Sequence, residues 1–166
     1  MAEKTRIVYS ANMSVGVNLL MALVEEAAAR LASEWDIEIF EAHHRHKVDA
    51  PSGTALALGQ AAAAGRNKNP ASSTYSSLKN AVNKEGNAFA FTREGKRIEG
   101  EIGFAVSRGG DVVGEHMVTF YTEGERLELG HRASDRSLFA KGALRAAQWV
   151  EGKPHGLYSM RDVLFS

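Results

Sequence analysis

Residues Glu38 to Ala55 read EIFEAHHRHKVDAPSGTA and bring His43, His44, His46, Arg45 and Lys47 into one short stretch. Lys47 is cationic at neutral pH. Pro51-Ser52-Gly53-Thr54 is a turn that opens a helix, so the N–H groups of Gly53 and Thr54 point out of a helix N-terminus, where an anion is favourably held. Ser52 and Thr54 add hydroxyls, and Gly53 has no side chain to keep a carboxylate from the backbone. A histidine beside such a seat can move a proton near neutral pH. The chemistry implied is proton delivery to a small dicarboxylate. Three clustered histidines also raise a metal site. Against it, strand alternation would put His44 and His46 on one face and His43, Arg45 and Lys47 on the other, with no cysteine or matched carboxylate to complete a ligand set.

These residues need elements to position them. Arg6 to Ser10 reads as a short strand. Asn12 and Ser14 are candidate caps for a helix whose stripe is Leu20, Leu23, Val24, Ala27 and Leu31 and which ends near Ser33 to Trp35. Asp36 to His43 alternates as a strand, with Ile37, Ile39 and Ala42 set against Glu38 and Glu41. The next helix runs from the Pro51 turn to Ala64, with Gly65 as its stop. Arg66 to Glu101, rich in Asn, Ser, Lys and Gly, reads as a long loop. Three strands follow as a meander, Ile102 to Ser107, Val112 to Thr122 and Arg126 to Ala133, with a turn at Arg108-Gly109-Gly110-Asp111. The Asp36 strand joins them. Ser134 caps a last helix with Phe139, Ala143, Ala147 and Val150 on one face, and the tail from Gly156 to Leu164 is apolar enough to dock.

The chain has 166 residues, no cysteine, and 20 basic against 20 acidic residues, for a formal charge of zero. That balance gives no electrostatic footprint for nucleic acid or an anionic membrane surface. No apolar run approaches the roughly 20 residues of a membrane span. The charged first residues lack the core of a signal peptide, so a cytoplasmic location is expected. Neither a Gly-x-Gly-x-x-Gly after a strand nor a Walker-type phosphate loop is present.

The Glu38–Ala55 segment resembles the dihydrodipicolinate reductase (4-hydroxy-tetrahydrodipicolinate reductase) family. Its fixed positions are matched by Glu38, Ile39, Glu41, His43, Lys47, Asp49, Pro51, Ser52, Gly53, Thr54 and Ala55. The resemblance extends to Ser10–Asn18, to Ile102-Gly103-Phe104-Ala105 leading into Arg108–His116, and to the ending Gly156–Leu164. It implies reduction of the dihydrodipicolinate skeleton to tetrahydrodipicolinate by NADH or NADPH, in lysine (diaminopimelate) biosynthesis. By position, His43 would be the general acid and Lys47 the second catalytic residue. His44 would contact substrate beside Ser52, while Gly53 and Thr54 would hold a carboxylate. Ser10, Ala11, Asn12 and Met13 would line the nicotinamide; Met13 stands where a Phe is common. Arg108, Arg132 and Arg136 are further basic residues without an assigned place.

The fold implied is α+β: a mixed four-stranded sheet with flanking helices, forming a substrate and tetramerisation domain. Residues 1–14 would be a crossover strand and loop from a dinucleotide-binding domain absent here. Residues 15–133 would be the substrate-binding and oligomerisation domain, and residues 134–166 a helix and tail that return to the absent domain. Phe139, Leu144, Trp149, Leu157 and Leu164 would then lack their usual cover. The expectation is a truncated form, homotetrameric, without metal, that binds a small dicarboxylate but is not competent alone. The alternative is a non-catalytic oligomerisation module with a relic site.

Overall fold

A computed structural model describes residues 4–32, 34–67, 96, 97 and 100–166. Most of the expected loop from Arg66 to Glu101 therefore lies outside the described residues. The elements in order are β1 (Arg6–Val8), α1 (Val15–Arg30), β2 (Asp36–His43), α2 (Gly53–Asn67), β3 (Ile102–Arg108), β4 (Gly114–Thr122), β5 (Glu125–Ala133), α3 (Ser137–Val150), β6 (Gly156–Tyr158) and α4 (Met160–Phe165).

The α+β architecture with a mixed four-stranded sheet is present, in the order β3-β2-β4-β5. The expected three-strand meander is not. Only β4 and β5 form a hairpin; β2 lies between β3 and β4, parallel to β3 and antiparallel to β4. The loop after β3 hops over the end of β2 and is fastened to it: the Gly109 N–H donates to His43 O (3.0 Å) and the Arg45 N–H to Gly110 O (3.2 Å). Gly110, at φ 49, supplies the left-handed turn that the paired glycines promised. Strand β2 is paired at both edges, and its Ile37, Ile39 and Glu41 are buried while Phe40 on the opposite face is exposed.

Helices α1 and α2 cover one face of this sheet. Leu20, Val24 and Ala28 of α1 meet Ala55, Leu58 and Ala62 of α2 over Ile37, Ile39, Ile102, Phe104, Val118 and Phe120. Each fully buried Val, Leu, Ile or Phe side chain here contributes about 1.5–3 kcal/mol, and this is the larger of the two apolar clusters among the described residues. Ser14 caps α1 as expected, its Oγ accepting from the Val17 N–H. The helix stops at Arg30, and Leu23 of the expected stripe faces outward while Ala28 faces in. Gly65 does not stop α2, which runs on to Asn67. Its role is close approach: a Cβ there would lie 2.2 Å from Glu25 O of α1, so only glycine lets the two helices pack.

A second, smaller unit joins the two ends of the chain. Strand β1 pairs in parallel with β6, matching Ile7 with Leu157. Ala146 of α3 packs with Met160 and Val163 of α4, with Val8, Met13, Val15 and Trp149 around them. The last long helix starts at Ser137 rather than after Ser134; its first amide is taken by Asp135 Oδ1 (2.6 Å). Its buried face is Gly142 and Ala146, not Ala143 and Ala147. Of the residues expected to lack cover, Leu144 and Leu157 are each 65% exposed. Phe139, Trp149 and Leu164 are half-buried, Trp149 lying edge-on to Tyr158 at 5.2 Å between ring centres.

Candidate functional site

The end of β2, the turn after it and the first turn of α2 enclose one face of a cleft of about 280 Å³. His43, His44, Lys47, Ser52, Gly53 and Thr54 line it, together with Ala11 and Asn12 and with Arg136 and Phe139 of the α3 region. Strand alternation does not carry through this segment. The strand ends at His43, and a turn closed by the Lys47 N–H to His44 O (3.1 Å) brings His43, His44 and Lys47 to the same cavity. His46 is exposed, its ring tilted against His44.

Glu41 reverses the expected alternation. It lies on the core face with Ile37 and Ile39 and is 1% exposed. A buried carboxylate without partners would be heavily destabilising. This one has four donors. Oε1 accepts from the Ser52 N–H (2.9 Å) and Arg108 Nη2 (2.8 Å); Oε2 accepts from Arg108 Nη1 (2.7 Å) and His43 Nδ1 (2.6 Å). Burial pushes its pKa up, but the bonds from His43, Arg108 and the Ser52 amide outweigh that and hold it at about 2. Arg108 is thus placed beneath the site, where it also donates to Asp49 O (2.7 Å). Arg132 lies outside, 3.5 Å from Glu115.

Ser52 is buried, and its hydroxyl is fully engaged. It accepts from the Ala55 N–H (3.2 Å), as an N-cap does, and meets His116 Nε2 at 3.1 Å. His116 was not anticipated from the sequence. Burial, then the neighbouring charge of His43, lowers its pKa to about 4, so it is neutral at physiological pH. Its ring stands edge-on to His43 at 5.1 Å. His131, its cross-strand partner, is also lowered by burial. The β2–β4 register sets His116 opposite Glu41, and the β4–β5 register sets His131 opposite His116; His116 closes the Arg108–His116 stretch singled out in the sequence, without a role assigned to it, whereas no motif marks His131. Among the described residues, no group of three or more His, Cys, Asp or Glu side chains is arranged to hold a metal ion.

The cationic seat is occupied from within the chain. Lys47 Nζ lies 2.7 Å from Asp49 Oδ1. Burial raises the Asp49 pKa, but the Lys47 bond and charge, with the amides of Asp49 and Gly53, pull it below the usual carboxylate range. The Asp49 carboxylate therefore sits between the lysine and the start of α2, as a ligand carboxylate would.

In the 10–13 loop, only Ala11 and Asn12 open on the cleft. Asn12 organises its surroundings: Nδ2 donates to Thr54 Oγ1 (3.1 Å), Oδ1 accepts from the Ser14 N–H (2.8 Å), and its carbonyl accepts from Ser10 Oγ (2.8 Å) and Asn18 Nδ2 (2.7 Å). The Met13 side chain turns to the second cluster.

Comparison with known proteins adds to this geometry. Residues 16–164 match the family model described as dihydrodipicolinate reductase, C-terminus. The chain is 55% identical over 164 residues to the 4-hydroxy-tetrahydrodipicolinate reductase of Caulobacter vibrioides, covering 98% of this chain and 59% of that protein. It is 58% identical over 163 residues to the protein of the same name from Methylocella silvestris, covering 98% and 56%. The chain thus spans little more than half the length of these relatives. A solved structure of dipicolinate-bound dihydrodipicolinate reductase from Paenisporosarcina sp. TG-14 superposes with a TM-score of 0.68 at 27% identity, over 95% of this chain and 55% of that one. Among the described residues, no helix is long and apolar enough to cross a membrane.

Proposed function

The chain belongs to the dihydrodipicolinate reductase family, in its C-terminal part, and from that premise we propose that it carries the substrate seat and proton donor for NADH- or NADPH-dependent reduction of 4-hydroxy-tetrahydrodipicolinate (dihydrodipicolinate) to tetrahydrodipicolinate in lysine biosynthesis. The observation that carries this reading is the convergence of His43, Lys47 and the N-terminus of α2 on one cleft. A dipicolinate-bound relative of the same fold agrees with a dicarboxylate ligand.

One carboxylate of the substrate takes the place that Asp49 now holds between Lys47 Nζ and the Gly53 N–H, and reaches the Thr54 N–H beside it. Lys47 polarises the substrate as it releases Asp49. His44 contacts the ring from the cleft wall. Ser52 acts through the backbone geometry of the cap, since its hydroxyl already has partners. His43 delivers the proton to the reduced intermediate. The dinucleotide, when bound, supplies a hydride. These residues fit its nicotinamide end at Ala11 and Asn12, which line the same cleft as His43 and Lys47. Ser10 supports that loop through Asn12, and Met13 anchors it to the second cluster. Arg136, beside Phe139 at the rim, is positioned for the second carboxylate.

Among the described residues, the sheet face turned away from α1 and α2 carries Phe40, Met117 and Tyr121, with Phe40 and Tyr121 exposed. It suits burial against a second copy and is the basis for proposing a homotetramer. The expected cellular setting is the cytoplasm. Alone, this chain binds dicarboxylate without turning over, because the dinucleotide's phosphates find no glycine-rich cradle in its sequence. Calorimetric titration with pyridine-2,6-dicarboxylate tests this: folded wild type gives saturable heat, and His44→Ala gives less. Absence of heat from a folded sample would instead favour a non-catalytic oligomerisation module.

A further inference from the structure

The buried carboxylate of Glu41 is the feature that the reaction scheme leaves unused, and it touches both halves of the site. One oxygen takes the Ser52 amide at the entry to α2; the other takes His43 Nδ1. We propose that Glu41 is a positioning residue that fixes the proton on His43 Nδ1, so that Nε2 is the proton-delivering end of the ring. The catalytic meaning of this rests on His43 being the proton donor; the tautomer itself does not.

The argument is one of donors and acceptors. Glu41 is a carboxylate, which only accepts. At 2.6 Å from Oε2, Nδ1 must therefore carry a hydrogen, in the neutral ring as well as in the imidazolium. The proton that leaves on delivery can come only from Nε2. That end of the ring faces the wall at Gly114, where a Cβ would lie 3.1 Å from Nε2, so the missing side chain leaves this end uncrowded. The other groups facing the ring are His116, edge-on at 5.1 Å, and Arg108, which shares the same carboxylate oxygen.

Glu41→Gln inverts one end of this arrangement. All four groups around the carboxylate are donors, and a Gln amide offers one acceptor oxygen and one NH₂ donor. The Ser52 N–H cannot change its polarity, nor can the Arg108 guanidinium. The imidazole can, by moving its hydrogen from Nδ1 to Nε2. The NH₂ group therefore settles against His43, and the tautomer flips.

The test is a two-bond ¹H–¹⁵N correlation spectrum of this chain, recorded at a pH where His43 is neutral. Wild type should show a protonated Nδ1 and a bare Nε2. Glu41→Gln should show the reverse, and Arg108→Lys, which leaves the carboxylate in place, should keep the wild-type pattern. A wild-type ring protonated at Nε2, or an unchanged ring in a folded Glu41→Gln, overturns the proposal. Should Glu41→Gln fail to fold, the wild-type Nδ1–H proton decides. A short bond to a carboxylate moves that proton far downfield, and its absence from that region overturns the proposal as well. Failure of pyridine-2,6-dicarboxylate to bind, with the tautomer as described, would remove the functional reading and leave this one standing.

Discussion

The two walls of the cleft are built in opposite ways. The wall made by β2, β4 and the start of α2 is buried and charged: Glu41, His43, Ser52, Arg108 and His116 form one connected network above a large apolar cluster. The side made by Ala11, Asn12 and Phe139 belongs to the unit that holds the small cluster of Ala146, Met160 and Val163 and leaves Leu144, Leu157 and Phe165 exposed. The contrast teaches where precision is needed. On the proposed reaction, proton delivery tolerates little misplacement, and mutual hydrogen bonds fix the groups assigned to it. A unit resting on so small a cluster, with apolar side chains left exposed, belongs to the low-stability end of the molecule.

The sharpest break of this comparison is His43→Gln, in a protein that joins these residues to a dinucleotide-binding half. Turnover should fall by about 10²–10⁴, the usual scale of general acid catalysis. KM should change little, because the seat is made by Lys47 and the α2 amides. Steady-state kinetics checks both quantities, and a loss confined to KM would transfer His43 to the binding groups.

Acid should loosen the first wall before the second. His116 falls from 6.5 unfolded to about 4 folded, so its contribution is complete above pH 6.5 and disappears as pH drops toward 4. Glu41 falls from 4.5 to about 2, so its contribution is present above pH 4.5 and is lost toward pH 2; it is on the order of 3 kcal/mol. Denaturation midpoints measured against pH should therefore decline in two stages. His131 is lowered from 6.5 as well, so His116→Phe should shrink the upper stage without abolishing it and leave the lower one unchanged.

Gly142→Ala probes the second wall. A Cβ there would lie 1.8 Å from Met13 O, so α3 must move off the loop. Overpacking of this kind costs about 1–3 kcal/mol. Hydrogen exchange should quicken in β1, β6, α3 and α4 and stay unchanged in β2 and β4. Uniform quickening would mean that the two walls unfold as one unit.

The smallest effect expected is from Asp49→Asn. Freed of its internal carboxylate, the seat should bind pyridine-2,6-dicarboxylate more tightly. A pair as exposed as this one is worth about 0.2–1 kcal/mol, so the gain is at most about fivefold. Weaker binding by calorimetry would show that Asp49 orients Lys47 rather than competing for it.

The amino-acid order was enough to identify β2, the capped start of α1 and α2, the β4–β5 hairpin and a Glu38–Ala55 segment whose residues meet at one cleft. Each is encoded locally, by alternation, capping chemistry or motif spacing. Tertiary packing decided the rest. It inserted β2 between β3 and β4, turned Glu41 from the solvent side to the core, and kept α2 helical through Gly65 because α1 needed the room. It brought His116 and Arg108, distant in the chain, to the same carboxylate and cap. Which partners a buried charge finds is a question of neighbours in space, and a one-dimensional pattern cannot carry it.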